Sequence, residues 1–201
     1  AERVQGLVDG QQSFNAWFND AALAAHVTLD GVTSQSAGVL TTWALGTAVG
    51  SPAGMMFAKQ FSYDPSREAD GALSFSVSQM GEGIIPEWGQ MLTAGKRTDT
   101  EATNGATKDD SASTSAGASS VLHVFSFTGT NVTVTVQDST NGSSWATLIA
   151  HTAADDVTSE RKTVSGTVNR YLRVITAGTF SSAVFALSLR RGEAVDRVAY
   201  A

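Results

Sequence analysis

The chain has 201 residues, a net charge of −6, no cysteine and 16 % charged residues. This length suits one large domain or two small ones and buries a core without disulfide bonds. An acidic chain with few Lys and Arg residues is a poor nucleic-acid binder. No apolar run approaches the roughly 20 residues that span a bilayer, and residues 1–6 lack a secretory apolar segment. We therefore expect a soluble protein that is not exported.

The first half of the chain predicts short strands after a polar leader. Residues 1–12 are polar, and we expect them to form an N-terminal arm. The segment Ser13–Asn19 predicts the first strand, and Asp20 is placed to cap one helical turn that ends near Ala25. Apolar and β-branched residues predict three more strands, at residues 39–45, 55–63 and 72–79.

Glycine and proline mark the predicted connections of this half. Residues 46–54 contain three glycines and one proline and predict a flexible loop. Asp64–Pro65 and Asp70–Gly71 are turn dipeptides. Pro86 with the following Glu87 predicts the start of a short helix within residues 84–92.

A long polar segment divides the chain. Thr98–Ser120 is rich in Thr, Ser, Ala and Asp and has almost no large apolar residue, which predicts a linker or a long surface loop. We therefore expect a first β lobe over residues 13–97, a linker over residues 98–120 and a second β lobe over residues 121–191. Residues 192–201 would form a free or partner-docked C-terminal tail.

Alternation of apolar and polar residues is clearest in the second lobe. It predicts six strands, at residues 121–128, 132–138, 145–150, 160–165, 171–176 and 182–190. Asn141–Gly142 is a strong hairpin signal and residues 177–179 are a weaker one, while Gly129–Asn131 separates the first two strands. This pattern predicts an all-β fold, an antiparallel β-sandwich or barrel with long loops and at most one or two short helices.

The run Val132–Val136 predicts a strand with two different faces. Its valines should belong to the core, whereas Thr133 and Thr135 should be solvated or pressed against a neighbouring subunit. A chain with few charges and many small or β-branched residues also suits extensive protein–protein contact.

The sequence contains no recognisable catalytic or metal-binding motif. His26, His123 and His151 have no ligand spacing, and the alternation around His123 predicts a ring at the edge of the core, held by a hydrogen bond. Asp109–Asp110 and Asp155–Asp156 predict solvated loop charges. We therefore assign no catalytic, cofactor-binding or metal-binding residue and expect no enzymatic activity.

One ordered set of segments carries a family resemblance. The segments are Asp9–Phe14, Ala58–Arg67 with Asp70–Leu73, Glu87–Asp99, Leu122–Gly129, Thr135–Ser139, Arg170–Val174 and Gly178–Phe185. Taken together they resemble the major tail proteins, or tail tube proteins, of long, non-contractile-tailed bacteriophages. The resemblance runs from about residue 6 to residue 191 and depends on the whole set, since no single motif is diagnostic.

The resemblance implies a structural subunit of tail-tube type. It implies a β-sandwich or barrel core, six copies per ring, and rings stacked into a tube whose lumen conducts the viral genome. The implied partners are the chain itself and the terminator, tape-measure and distal tail proteins, with no cofactor and no membrane. The implied location is the virion tail, assembled in the host cytoplasm, with DNA passing the lumen without specific binding.

The charge distribution and the predicted exposed strands agree with a tube subunit. Residues 1–110 hold 13 acids against 6 bases, a balance of −7, so Asp and Glu residues there are candidates to line a lumen that repels phosphates. Long exposed strands need a partner edge. Segments 46–54 and 98–118 would become ordered only against the next ring.

Two other interpretations stay open. One is a virion-surface or decoration β-sandwich module that binds carbohydrate or capsid, with Asn141–Ser144 and Trp145 as its exposed candidates. The other is a hydrolase on a β scaffold, which nothing beyond the presence of Ser, His and Asp supports. Tryptophans can form a sugar platform, but more often they are core and interface anchors, and we favour the latter for Trp17, Trp43, Trp88 and Trp145.

Overall fold

The computed structural model describes residues 10–21, 25–32, 38–81 and 86–192, and this part of the chain is nearly all β. Its strands pair in an antiparallel, sandwich-like arrangement that does not close, which confirms the predicted fold class. The described elements are β1 Gln11–Trp17, α1 Ala25–Leu29, β2 Val39–Ala44, β3 Pro52–Arg67, β4 Leu73–Gly81, β5 Glu87–Met91, β6 Arg97–Asp99, β7 Lys108–Asp109, β8 Ala118–Ser139, β9 Ala146–Ala150, β10 Thr158–Val164 and β11 Tyr171–Arg191.

The chain forms two compact units. The first comprises residues 1–41 and 56–86, and the second comprises residues 42–55 and 87–201. In this division residues 42–55 and 87–97, which were expected in the first lobe, belong to the second unit. The expected linker also belongs to it: β6 and β7 pair with β11, and Asn104 and Thr114 form isolated bridges to Ile175 and Val168. Its small polar side chains add strands to an existing sheet, which composition alone does not reveal.

The first unit contains a three-stranded sheet in the order β1–β4–β3. One face is buried, with Phe75 and Val77 of β4 fully enclosed and the polar side chains of Gln60 and Gln79 beside them. Helix α1 is tied to β3, where His26 Nδ1 lies 2.8 Å from the Tyr63 hydroxyl and the Gln60 amide donates to the Leu29 carbonyl over 2.7 Å. The alternation of buried and less buried residues along β4 follows from the period-two geometry of a strand.

The second unit is organised by a long ribbon of β8 and β11, which pair along almost their whole length. The hairpin expected at residues 177–179 and the break between strands expected at residues 129–131 are therefore wrong: both segments lie inside long strands, next to the register shift between Thr179 and Phe180. Gly129 and Gly178 have φ values of +153° and +128°, and an added Cβ would lie 2.4 Å from Phe180 Cα and from the Asn131 carbonyl oxygen, respectively. A positive-φ glycine serves a bulge as well as a turn.

Both halves of this ribbon contribute to one core. The buried cluster combines Leu122 and Val124 from the first half of β8 with Val132, Val134 and Val136 from the second, and adds residues of β11 such as Leu172 and Phe185. The expected valine face is therefore confirmed. The expected exposure of Thr135 is wrong, since it is only 8 % exposed between its cross-strand neighbours Ala150 and Ile175, while Thr133 is half-buried.

Most of the remaining predicted strands and turns are confirmed, and three predictions are wrong. The strands expected at the positions of β1, β2, β4, β9 and β10 and the turn at Asp70–Gly71 are confirmed, and Asn141–Gly142 lies in the β8–β9 connection. Asp64–Pro65 lies inside β3 instead of in a turn, the loop expected over 46–54 ends in that strand, and residues 87–91 form β5 instead of a helix.

The termini and the first helical turn are only partly described. Residues 11–12 of the expected arm belong to β1, and helix α1 begins at Ala25, where the expected turn was to end. The rest of the arm (residues 1–9), residues 22–24 of the expected helical turn and residues 193–201 of the tail lie outside the described residues.

Candidate functional site

One face of the first unit's sheet carries short polar side chains. Registers of β1, β3 and β4 place these residues on the face opposite buried Phe75 and Val77, and none of them is buried. We call this set the hydroxyl face: Ser13, Asn15, Ser62, Asp64, Ser66, Ser74, Ser76 and Ser78. Trp17 stands at one end of it, and Lys59 and the exposed Met80 stand at the other. The face is too polar to be a core and has one carboxylate in its middle.

The same sheet has an open edge at β1. The bonds of Gly81 N–H to the Gly10 carbonyl and of Phe18 N–H to the Leu73 carbonyl show that even-numbered residues of β1 face β4. The backbone groups of Gln11, Ser13, Asn15 and Trp17 therefore point away from β4, and they bind nothing in the described part of the chain.

This edge lacks the usual protection. β1 has the sequence Gln-Gln-Ser-Phe-Asn-Ala-Trp, with no charge and no proline. By contrast β10, an edge strand of the second unit that pairs with β8, carries the charged run Glu160, Arg161 and Lys162. Charged residues on edge strands hinder pairing with other chains, and β1 lacks this protection.

The described part of the first unit is acidic. Five acids stand against two bases, and all five acids are exposed. The β3–β4 hairpin contributes most of them, since every residue from Asp64 to Gly71 is exposed. The acids are Asp20, Asp30, Asp64, Glu68 and Asp70, and the bases are Lys59 and Arg67.

The second unit contains a Ser–His–Glu arrangement that sequence spacing did not indicate. His151 Nε2 lies 3.0 Å from the Ser120 hydroxyl, and His151 Nδ1 lies 3.0 Å from a Glu160 carboxylate oxygen. These distances match those of a nucleophile, a base and an orienting acid. However, Ser120 is fully buried in the middle of β8, paired on both sides with Lys162 and Leu189.

The burial of Ser120 removes the arrangement from substrate chemistry. A substrate carbonyl cannot reach the hydroxyl, and the neighbouring backbone is committed to the sheet, so no oxyanion donors face it. Burial lowers the pKa of His151, against the opposing effect of Glu160, and keeps the ring neutral. Burial acts to raise the pKa of Glu160, but two hydrogen bonds from Thr152 help to hold it below its ordinary value. The three side chains tie β8 to β10 and to the segment after β9.

The aspartate pairs have different environments. Asp155 and Asp156 are exposed, as expected. Asp109 is exposed but binds Arg170, and Asp110 is enclosed by Lys108, Arg191 and the Gln90 amide, so the expectation of two solvated charges is wrong for Asp110. Among the described residues no group of three or more His, Cys, Asp or Glu side chains could hold a metal ion.

The tryptophans lie outside the core. Trp17 is 72 % exposed and Trp88 59 %, and Trp88 meets Trp43 edge to face at 5.8 Å. Trp145 is half-buried, with the Arg173 guanidinium 4.3 Å from its ring centroid. The cation therefore covers one of the two ring faces on which a sugar could stack. The expectation for His123 is confirmed, because the ring is half-buried and Nε2 lies 2.9 Å from the Thr42 hydroxyl.

Fold and surfaces define an antiparallel all-β protein whose most distinctive surfaces are a polar sheet face and an open sheet edge. Comparison with protein-family models gives no match, and neither curated proteins nor solved structures show a significant similarity to the chain. No described helix has the length and apolar character needed to cross a membrane.

Proposed function

We propose that the chain is a structural subunit of a phage tail tube, assembling with copies of itself into rings, six-membered by the resemblance, that stack around a lumen for the viral genome. In this proposal it has no catalytic role, its partners are further copies and other tail proteins, and it resides in the virion tail. The resemblance of the ordered segments suggests the function, and the surfaces of the first unit support it.

The hydroxyl face is the observation that carries the proposal. A wall that DNA must pass has to be wetted, so that it does not bind the bases, and must lack clustered cations, so that it does not hold phosphates. The short serine side chains around Asp64, between Trp17 at one end of the face and Met80 at the other, meet both conditions. The acidic balance of the first unit adds long-range repulsion of phosphates. In the assembled tube we expect this face to line the lumen.

The open edge of β1 provides a means of assembly. Four residues offer their outward N–H and C=O groups, and an added strand from another copy would satisfy them. A ring needs one surface of each subunit to meet a different surface of the next, so that the contact repeats until it closes. An edge strand on one side of a subunit is suited to such a head-to-tail contact.

Electron microscopy of the purified full-length chain at increasing concentration tests the proposal. The expected result is rings and stacked tubes. Asn15→Pro removes an outward N–H without touching the β4 ladder, and proline is tolerated in this position of an edge strand. The variant should keep the wild-type melting temperature and lose the rings.

Ala16→Pro is the matched control, because the N–H of Ala16 faces β4. It should lower the melting temperature by breaking a bond within the subunit. A wild-type chain that stays monomeric at high concentration and does not enter tails contradicts the proposed function. If the folded Asn15→Pro variant forms rings as well as the wild type, the tube function stands and only the assignment of β1 as the contact edge is wrong.

A further inference from the structure

A small cavity opens on the second unit, on the face of the β8–β11 sheet opposite the core. Its volume is about 180 Å³, and its carbon walls come from Ala44, Met91, Phe125 and Ala186. Leu122 and Leu187, on neighbouring positions of β8 and β11, point to the other face and belong to the core. The cavity is therefore separate from the packed interior.

The polar groups in the wall already have partners. The Thr42 hydroxyl and His123 Nε2 lie 2.9 Å apart, and the Ser188 hydroxyl donates to the Val121 carbonyl over 3.5 Å. Burial lowers the pKa of His123 to about 4, so its ring is neutral near pH 7. The interior of the cavity therefore presents mainly carbon surface to an occupant.

One charged group stands at the cavity. Lys96 lines it, is exposed, and holds its ammonium 4.3 Å from the centroid of the Phe125 ring. No carboxylate lies within ion-pair distance of Lys96 in the described ranges. Its ammonium is thus available to an anion that reaches the cavity.

We infer that this cavity binds an aromatic carboxylate, with the ring in the carbon-lined space and the acid group on Lys96. A dry cavity of roughly 150 Å³ lined by apolar side chains accepts benzene, so a cavity of about 180 Å³ accommodates one six-membered ring. The ring would pack against Met91 and Phe125, while the carboxylate stays near solvent beside the ammonium. This inference concerns the second unit alone and does not rest on the proposed tube function.

Titration of the full-length chain with benzoate, followed by ligand-observed NMR, tests the inference. We expect saturable binding with a dissociation constant on the order of millimolar, as suits so small a ligand. Acetate, which lacks the ring, should not bind measurably. Benzyl alcohol, which keeps the ring without the charge, should bind several-fold more weakly than benzoate.

Three variants locate the site. Ala186→Leu and Ala44→Leu each fill the cavity and should abolish saturation, and two positions are used in case one variant folds poorly. Lys96→Met keeps the apolar stem and should weaken benzoate binding roughly fivefold while leaving benzyl alcohol unchanged. Ala177→Leu is the control, because Ala177 is an exposed alanine of the same strand β11.

The outcomes are distinguishable. Loss of benzoate binding in a folded cavity-filling variant, with retention in Ala177→Leu, supports the inference. Absence of saturable binding to the wild-type chain overturns it. So does wild-type affinity in both folded cavity-filling variants, which would place the ligand elsewhere.

Discussion

Arg97 and Asp99 form a bidentate ion pair two residues apart on β6, with Nε–Oδ1 and Nη2–Oδ2 distances of 2.7 Å each. The Thr176 hydroxyl donates to the same carboxylate over 2.6 Å, and a further Arg97 nitrogen donates to the Val174 carbonyl. The pair is enclosed, with side-chain exposures of 14 % and 3 %. It fastens the start of a segment that sequence composition marked as a linker to the first half of β11.

Replacement of Asp99 should therefore lower the stability of the folded protein substantially. Asp99→Ala leaves the Arg97 guanidinium enclosed without its counter-charge, and we expect a loss of about 3–5 kcal/mol in the free energy of unfolding. Urea unfolding measures it. Asp109→Ala is the matched control, because Asp109 forms an equally short pair with Arg170 at an exposed site, and exposed pairs contribute little. Equal effects of the two variants would contradict the structural role of Asp99.

Stability should fall as the pH is lowered through the range in which His123 titrates. Burial lowers its pKa from 6.5 to about 4 in the folded chain. Between these values the unfolded chain binds more protons, so stability is lost as the pH falls below 6.5, by up to about 3 kcal/mol at pH 4. Chemical unfolding at a series of pH values from 8 to 5 should show a shallower dependence for His123→Gln than for the wild type. Parallel curves would exclude His123 as the source.

Replacing a glycine of the β8–β11 ribbon by alanine should destabilise the protein more than the same replacement at a solvated glycine. Gly178→Ala combines a positive φ with a Cβ 2.4 Å from the Asn131 carbonyl oxygen. Gly166 has a φ of +96° with nothing within 4 Å of a Cβ, so Gly166→Ala measures backbone strain alone. Strain of this kind costs on the order of 1–3 kcal/mol, and we expect Gly178→Ala to exceed Gly166→Ala clearly in thermal unfolding. A smaller effect at Gly178 would show that the ribbon tolerates the added carbon there.

A cation introduced on the hydroxyl face should make assembled tubes retain DNA. Ser76 lies in the middle of β4 and is half-buried on this face. Assembled tubes of Ser76→Arg should retain labelled DNA at low salt, with retention lost as salt rises, whereas wild-type tubes should not. Ser143→Arg, in an exposed connection of the second unit, is the control. Equal retention by both variants would mean that the hydroxyl face is not the wall DNA meets.

Some structural features could be predicted from a few neighbouring residues in the sequence, and others could not. The alternation at Val132–Val136 predicted a core face, and Asp70–Gly71 predicted a turn, because both depend on a few neighbouring residues. Asp64–Pro65 has the same local character as a turn, yet lies inside β3, where pairing with Ser76 and Phe75 of β4 overrides it. The Ser120–His151–Glu160 contacts join residues 31 and 9 positions apart, and no spacing rule connects them.

The sequence by itself determined that the chain is all-β, because side-chain alternation is a property of each strand in isolation, and the short connections predicted between strands favoured antiparallel pairing. Only the tertiary structure decided that Gly129 and Gly178 bend two long strands instead of ending four short ones. It also showed that Thr98–Ser120 adds strands to β11, and that β1 is left with an open edge. These outcomes depend on which distant strand satisfies each backbone hydrogen bond, and that partner lies far away in the sequence.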